Sequence, residues 1–348
     1  MNILIVKTSA IGDVIHTLPA LHALRTAYPE ARIDWLIEEA ASDLIVGHPA
    51  LHRVLVAKRK SWLRQLRSGD RLTSLREIKA FIRELRETEY DLLLDFQGLL
   101  KSSIWVALAR AKRKVGFGRG MEHAECSYLF LNERIPPVDM DRHAAERELL
   151  LLKAIGIPPA GMVFGLPIEE VDRQRVRQLL GDTERGSLVA INPMTTWPTK
   201  HWESDRFAAV ADRLAADGHQ VVFTGGPGDQ AAIGEICRAM QGRALNLAGS
   251  TSLKDLAALF QLACVVVTTD TGPMHLAAAV NTPVVALFGP TAPWRTGPYG
   301  SSWHKVLRTA LPCSPCLKKQ CSTRECMQKI TIEQVISAVD QITRDKDE

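Results

Sequence analysis

Short apolar runs alternate along this chain with longer stretches in which apolar residues recur at helical spacing. Runs near 2–7, 32–37, 53–57, 91–95 and 114–117 predict strands, and the patterns near 13–27, 72–88, 98–110 and 143–155 predict helices. The segment Gly156-Ile157-Pro158-Pro159-Ala160-Gly161 then breaks the rhythm, because Pro and Gly end one helix and resist another. The alternation resumes with strands near 187–191, 220–224, 264–268 and 283–287, separated by helices near 203–217, 229–241, 252–261 and 273–280. Repetition of this kind implies βαβ units, parallel sheets and helices on both sheet faces. The predicted organisation is α/β in two domains, 1–160 and 161–330, with a last helix in 331–348 packing back on the first domain.

Two strand-to-helix junctions stand out, one in each half. Asn2-Ile3-Leu4-Ile5-Val6-Lys7 gives way to Thr8-Ser9-Ala10-Ile11-Gly12-Asp13, and Val265-Val266-Val267-Thr268-Thr269 runs into Asp270-Thr271-Gly272-Pro273-Met274-His275. Ligands of open α/β sheets bind at the carboxyl ends of strands, where helix N-termini offer free N–H groups and partial positive charge. One such junction per half predicts two domains facing a central cleft, and an enzyme that joins two substrates.

Asp13 starts a helix. It is either a first-turn acid favoured by the helix dipole or a general base that reaches an acceptor hydroxyl, with Gly12 allowing close approach. The loop Asn192-Pro193-Met194-Thr195-Thr196-Trp197-Pro198-Thr199-Lys200 brings hydroxyls and an ammonium to a strand end, which suits a phosphate-bearing ligand as well as a plain polar loop. Gly225-Gly226-Pro227-Gly228-Asp229 is a further close-approach turn and fits neither the dinucleotide fingerprint nor the P-loop. At the second junction Asp270 is expected to cap the helix while the amides of Thr271 and Gly272 point outward. His275, one turn on, is either a diphosphate contact or a core histidine.

The composition sharpens this picture in three places. The 348 residues, 46% hydrophobic and 24% charged, suit two soluble domains, and no apolar stretch is long enough to span a bilayer. With no basic leader before the first strand, a cytoplasmic location is expected. The net charge of +4 lies in the first half, where ten of residues 58–86 are Lys or Arg against Asp70, Glu77 and Glu84. That stretch is either a solvated helix face or a docking surface for a polyanion. Its only aromatics are Trp62 and Phe81, too few for the interleaving of nucleic-acid sites, so no nucleic-acid partner is expected. Four of seven cysteines, Cys313, Cys316, Cys321 and Cys326, cluster near the end. Their spacing is short for paired zinc knuckles and no His accompanies them, so unliganded thiols are the expectation, with structural zinc or a cluster as the alternative.

Taken together, these segments resemble the ADP-heptose:lipopolysaccharide heptosyltransferases, glycosyltransferase family 9, over nearly the whole chain. The opening Val6–Leu21 is most similar to the heptosyltransferase I branch. Further matches are Asp95-Phe96-Gln97-Gly98-Leu99-Leu100-Lys101-Ser102, His143-Ala144-Ala145-Glu146-Arg147, Lys200-His201-Trp202 and Asp270-Thr271-Gly272-x-x-His275. The resemblance implies GT-B architecture: two Rossmann-like domains, the first binding the acceptor and the second the ADP-heptose donor.

It places the catalytic base on Asp13 and donor contacts on Thr195, Thr196, Lys200, Asp270, Thr271, Gly272 and His275. Asp229 stands where the branch has a glutamate, and Thr251 where it has a methionine. Lys7, Lys60, Lys101, His143 and Arg147 are the acceptor-binding candidates. No cofactor or metal is implied, and no Asp-x-Asp pair sits at a strand end. The implied reaction is inverting transfer of heptose from ADP-heptose to Kdo-lipid A, with peripheral contact at the cytoplasmic face of the inner membrane. The alternatives are a related GT-B transferase that adds a later heptose or uses another nucleotide sugar, and a non-enzymatic polyanion-binding protein.

Overall fold

The computed structural model describes residues 1–121, 125–181, 188–300 and 303–347 and divides into two units, Met1–Pro167 and Ile168–Glu348. In the first, the strands are β1 (Asn2–Val6), β2 (Arg32–Glu38), β3 (Arg53–Ala57), β4 (Tyr90–Asp95), β5 (Ala111–Phe117) and β6 (Glu133–Ile135). Its helices are α1 (Ile11–Ala27), α2 (Glu39–Ser42), α3 (Arg59–Ser68), α4 (Arg71–Glu87), α5 (Leu100–Leu108) and α6 (Ala144–Ala154). The sheet runs β3-β2-β1-β4-β5-β6 with every pair parallel.

The second unit repeats the plan. Its strands are β7 (Leu188–Asn192), β8 (Gln220–Phe223), β9 (Leu245–Asn246), β10 (Val265–Thr269), β11 (Val284–Phe288) and β12 (Lys305–Arg308). They line up as β12-β11-β10-β7-β8-β9, again all parallel. Around them lie α7 (Glu170–Leu180), α8 (Ser204–Ala216), α9 (Gln230–Ala239), α10 (Leu253–Leu262), α11 (Gly272–Ala279), α12 (Pro293–Thr296), α13 (Glu325–Gln328) and α14 (Ile332–Asp347). Renumbered from its own first strand, each sheet reads 3-2-1-4-5-6, the doubly wound order of nucleotide-binding folds. The α/β class with two Rossmann-like parallel-sheet units is as expected from the sequence.

Burial explains the strand assignments. Ile3, Leu4, Ile5 and Val6 are fully buried, as are Val265, Val266 and Val267, because helices cover both faces of each sheet. The first core closes on a cluster of rings: Trp62, Phe81 and Trp105 lie 5.1 to 6.2 Å apart between α3, α4 and α5. The last helix puts its apolar stripe of Val335, Ile336, Val339 and Ile342 into the core of the second unit. It packs there on α8, β10, β11 and β12. The Trp202 indole donates to the carbonyl of Ile330 at 3.0 Å and fixes where the helix begins.

Since Ile342 is fully buried in that core, Ile342→Ala should destabilise the second unit by about 2–5 kcal/mol, read as an earlier transition in denaturant unfolding. An unshifted midpoint would show the helix to be dispensable.

Candidate active site

In a sheet ordered 3-2-1-4-5-6 the crevice opens where connections leave in opposite directions, between the first and fourth strands. In the first unit this is the carboxyl end of β1 and β4. Lys7, Thr8 and Ser9 follow β1, and Asp95, Phe96, Gln97 and Gly98 follow β4. A cavity of about 230 Å³ lies here, lined by Asp13, Lys7, Asp95 and Arg147 among its polar groups and by Phe96, Phe117, Met121 and Met140 among its apolar ones.

Asp13 sits in the first turn of α1, half-buried, and its Oδ2 accepts the Ala10 amide at 2.9 Å. The first-turn acid and the cavity-lining carboxylate are therefore one and the same residue. The loop ahead of it is held from β4. Gln97 Oε1 accepts the Thr8 amide at 2.9 Å, the Ser9 amide at 2.9 Å and the Thr8 hydroxyl at 3.0 Å. The Lys101 ammonium donates to the Ser9 hydroxyl. Gln97 is aimed by a tight turn in which Asp95 Oδ1 accepts the Gln97 and Gly98 amides, both at 3.1 Å, with Gly98 at φ +63° where only glycine is at ease.

The charges beneath Asp13 form a buried set. Lys7 Nζ donates to Glu148 Oε1 at 2.7 Å and to the Phe96 carbonyl at 2.9 Å. Burial opposes that ammonium, yet Glu148, with Asp13 and Asp95 beyond, holds its pKa above the ordinary lysine value. Asp95 is 2% exposed, and burial pushes its pKa up to about 6 despite the amides and Lys7 that favour its charge. Its Oδ2 has no hydrogen-bond partner among the described residues.

The other acceptor candidates separate. Arg147 lines the cavity and reaches the Met140 carbonyl at 3.3 Å. His143 is buried as the N-cap of α6, its ring 5.0 Å from that of His16. Lys60 is exposed on α3. Glu148 was not singled out from the sequence, and Asp95 entered only at the head of a family match, although a carboxylate ending the fourth strand marks the other half of the same switch point.

In the second unit the corresponding place is the carboxyl end of β7 and β10. Lys200 Nζ meets Asp270 Oδ2 at 2.6 Å and the Asp270 carbonyl at 3.3 Å, and stands 4.7 Å from the centre of the Trp197 ring. Asp270 was expected to cap the next helix, and here the structure corrects the reading. Its carboxylate is taken up by Lys200 and by the Thr291 hydroxyl at 2.6 Å, and Thr271 is the N-cap of α11. Pro273 has no N–H and the Met274 amide bonds back to Thr271, so this helix end offers the amides of Thr271 and Gly272. His275 is buried in the first turn.

Thr195 is half-buried and Thr196 exposed on the loop after β7, where the His201 ring meets the Thr195 carbonyl at 2.8 Å. Asp229 folds back to accept the Gly226 amide at 2.8 Å. Thr251 is drawn to the same end because the Gly249 amide bonds the Gly225 carbonyl at 2.9 Å. Any Cβ on Gly249 would lie 2.9 Å from Pro227, so only glycine permits this approach. The cysteines form no disulfide, and among the described residues no three metal-ligating side chains gather around a point.

Comparison with known proteins places this geometry in a family. The profile of glycosyltransferase family 9 (heptosyltransferase) matches residues 78–327, and the chain belongs to that family. It is 36% identical to lipopolysaccharide heptosyltransferase 1 of Pseudomonas aeruginosa over 92% of this chain and 88% of that protein. The Escherichia coli K12 protein of the same description is 30% identical over 87% of this chain and 92% of its own length. The solved structure of E. coli heptosyltransferase WaaC with ADP superimposes with a TM-score of 0.80 at 27% identity, covering 98% of this chain and all of that one. The chain is thus a glycosyltransferase with the fold of its family.

Two predictions follow from the first unit. Gln97→Leu removes the acceptor that three loop donors share and should lower kcat by roughly 10- to 100-fold with KM little changed, while Gln97→Glu keeps most of the rate. Equal losses in both variants would exclude a role through that oxygen. Asp95 binds its proton more tightly folded than unfolded, so its contribution to stability is present below about pH 4 and disappears as pH rises through about 6. Asp95→Asn should therefore gain on the order of 2 kcal/mol over the parent at pH 8 and nothing near pH 4, measured by thermal unfolding. A gain that does not change with pH would refute the assignment.

Proposed function

We propose that this enzyme transfers heptose from ADP-heptose to Kdo-lipid A, with inversion at the anomeric carbon, at the cytoplasmic face of the inner membrane. The acceptor binds the first unit at the cavity lined by Asp13, and the donor binds the second unit at the ends of β7 and β10. Asp13 takes the proton of the acceptor hydroxyl, whose oxygen bonds to the anomeric carbon as the bond to the β-phosphate oxygen breaks and ADP leaves. Negative charge gathers on the departing diphosphate.

Lys200 stands in two contacts with Asp270 and keeps a donor for that diphosphate. With the amides of Thr271 and Gly272 and the imidazole of His275, it supplies fixed dipoles and charge that need no rearrangement during the reaction. Thr195, Thr196, Asp229 and Thr251, on loops at the same sheet end, contact the nucleotide and the sugar. His143 and Arg147 on the α6 side, with Lys7, Lys60 and Lys101, serve the acceptor, Lys7 and Lys101 by fixing the β1 loop.

The observation that carries this reading is the chemical contrast between the two switch points. The first unit has a half-buried carboxylate at a cavity, and the second an ammonium, hydroxyls and free amides at strand ends. A carboxylate serves a hydroxyl nucleophile, and the cationic end serves a diphosphate. The test is to incubate the protein with ADP-heptose and Kdo-lipid A and weigh the product, which should gain one heptose residue. Asp13→Ala should cut kcat by about 10³-fold while ADP still binds, and Lys200→Ala should weaken ADP binding by tenfold or more. Transfer undiminished in Asp13→Ala would remove the base from this scheme.

A further inference from the structure

Apart from Lys60, which the transfer scheme gives to the acceptor, the basic stretch of the first unit has a surface that transfer chemistry does not use. On α3 the exposed residues Lys60, Leu63, Arg64 and Arg67 recur at i, i+3, i+4 and i+7, a single stripe. On α4 the exposed stripe is Leu72, Leu75, Arg76, Lys79, Arg83 and Arg86. None of the Lys or Arg in these stripes has an ion pair among the described residues. Leu72 is 73% and Leu75 57% exposed, where residues of this kind are ordinarily covered. The opposite face of the same helices buries Trp62, Phe81 and Leu85 in the core.

The apolar exposure continues toward the cavity. The helix α5, which packs on α4, leaves Leu100 and Ile104 more than half exposed, directly after the cavity-lining residues Gly98 and Leu99. The single turn Ser127–Phe130, packed on α5, leaves Leu129 61% exposed between the cavity-lining residues Ser127 and Leu131. One face of the unit thus combines unpaired cations with exposed leucines and reaches the cavity's edge.

We propose that this face docks on an anionic phospholipid bilayer, with Leu72 and Leu75 entering the interface and the Lys and Arg of α4 meeting headgroup phosphates. It deepens the reading of a lipid-borne acceptor and takes its purpose from it: the cavity is held where a headgroup sugar emerges from the membrane. Charge complementarity selects an anionic surface, and the leucines select one with an apolar interior, since cations alone would serve any polyanion. Single-stranded nucleic acid is the poorer occupant because the stretch's only aromatics, Trp62 and Phe81, are 4% and 6% exposed and cannot stack on bases.

The full-length protein should co-sediment with vesicles of phosphatidylglycerol and phosphatidylethanolamine at physiological salt and not with phosphatidylcholine vesicles. Leu72→Ser with Leu75→Ser should weaken that binding by about tenfold or more. Arg76→Gln, Lys79→Gln and Arg83→Gln together should weaken it by about a hundredfold. Both variants should keep the parent's melting temperature and its turnover of a deacylated, water-soluble acceptor. Failure of the parent to bind anionic vesicles would overturn the proposal. So would indifference to the leucine pair, or tighter binding to a single-stranded oligonucleotide that the leucine pair leaves unchanged. Vesicle binding without any heptose transfer would count against the proposed reaction and leave this surface standing.

Discussion

Each unit depends on one topological constraint. Two connections leave a parallel sheet in opposite directions at the first and fourth strands, so the loops there have no neighbour to cover them. Their polar groups must be satisfied by one another, by water or by a ligand. In the first unit the loops satisfy one another through Gln97, whose single oxygen takes three donors from the β1 loop and ties both sides of the crevice. Asp13 inherits its position from that tie. In the second unit the tie is ionic, Lys200 on the β7 side against Asp270 on the β10 side.

These two solutions differ in character. A neutral amide clamp fixes the geometry of the β1 loop without adding charge beside Asp13. An ammonium held against a carboxylate and an indole is already oriented, with little freedom left to lose. The buried Lys7–Glu148 pair works in the same spirit beneath the first site. It holds compensated charge under Asp13 and Asp95, in a place where an isolated charge would be costly.

Much of this was legible in the sequence because central parallel strands are buried on both faces and read as unbroken apolar runs. β1, β4, β7 and β10 all stood out this way, and with them the four loops that build the sites. Three of the four edge strands did not: β6, β9 and β12 are two to four residues long and only partly buried, so no run marks them. The helix α3 was hidden because Trp62 is its one buried residue. The role of Gln97 was invisible for another reason. Its donors come from residues 88 and 89 positions away, and no local spacing encodes such a contact. Asp270 was misread as a cap because position alone predicts capping, while the competing ammonium arrives from another strand. The amphipathic pattern of the last helix announced a buried stripe without saying which core would take it.

That last helix has a consequence for how the chain is made. All six strands of the first sheet are complete by Ile135 and its last helix by Ala154, so this half can close while synthesis continues. The second half closes later, because Val339 and Ile342 fill its interior and follow every strand of its sheet in the sequence. Until then the apolar faces of β10 and β11 stay open to water and to other chains. Substitutions on that stripe therefore act on the interior of a domain, and the sixteen residues of this helix decide when the second half can close.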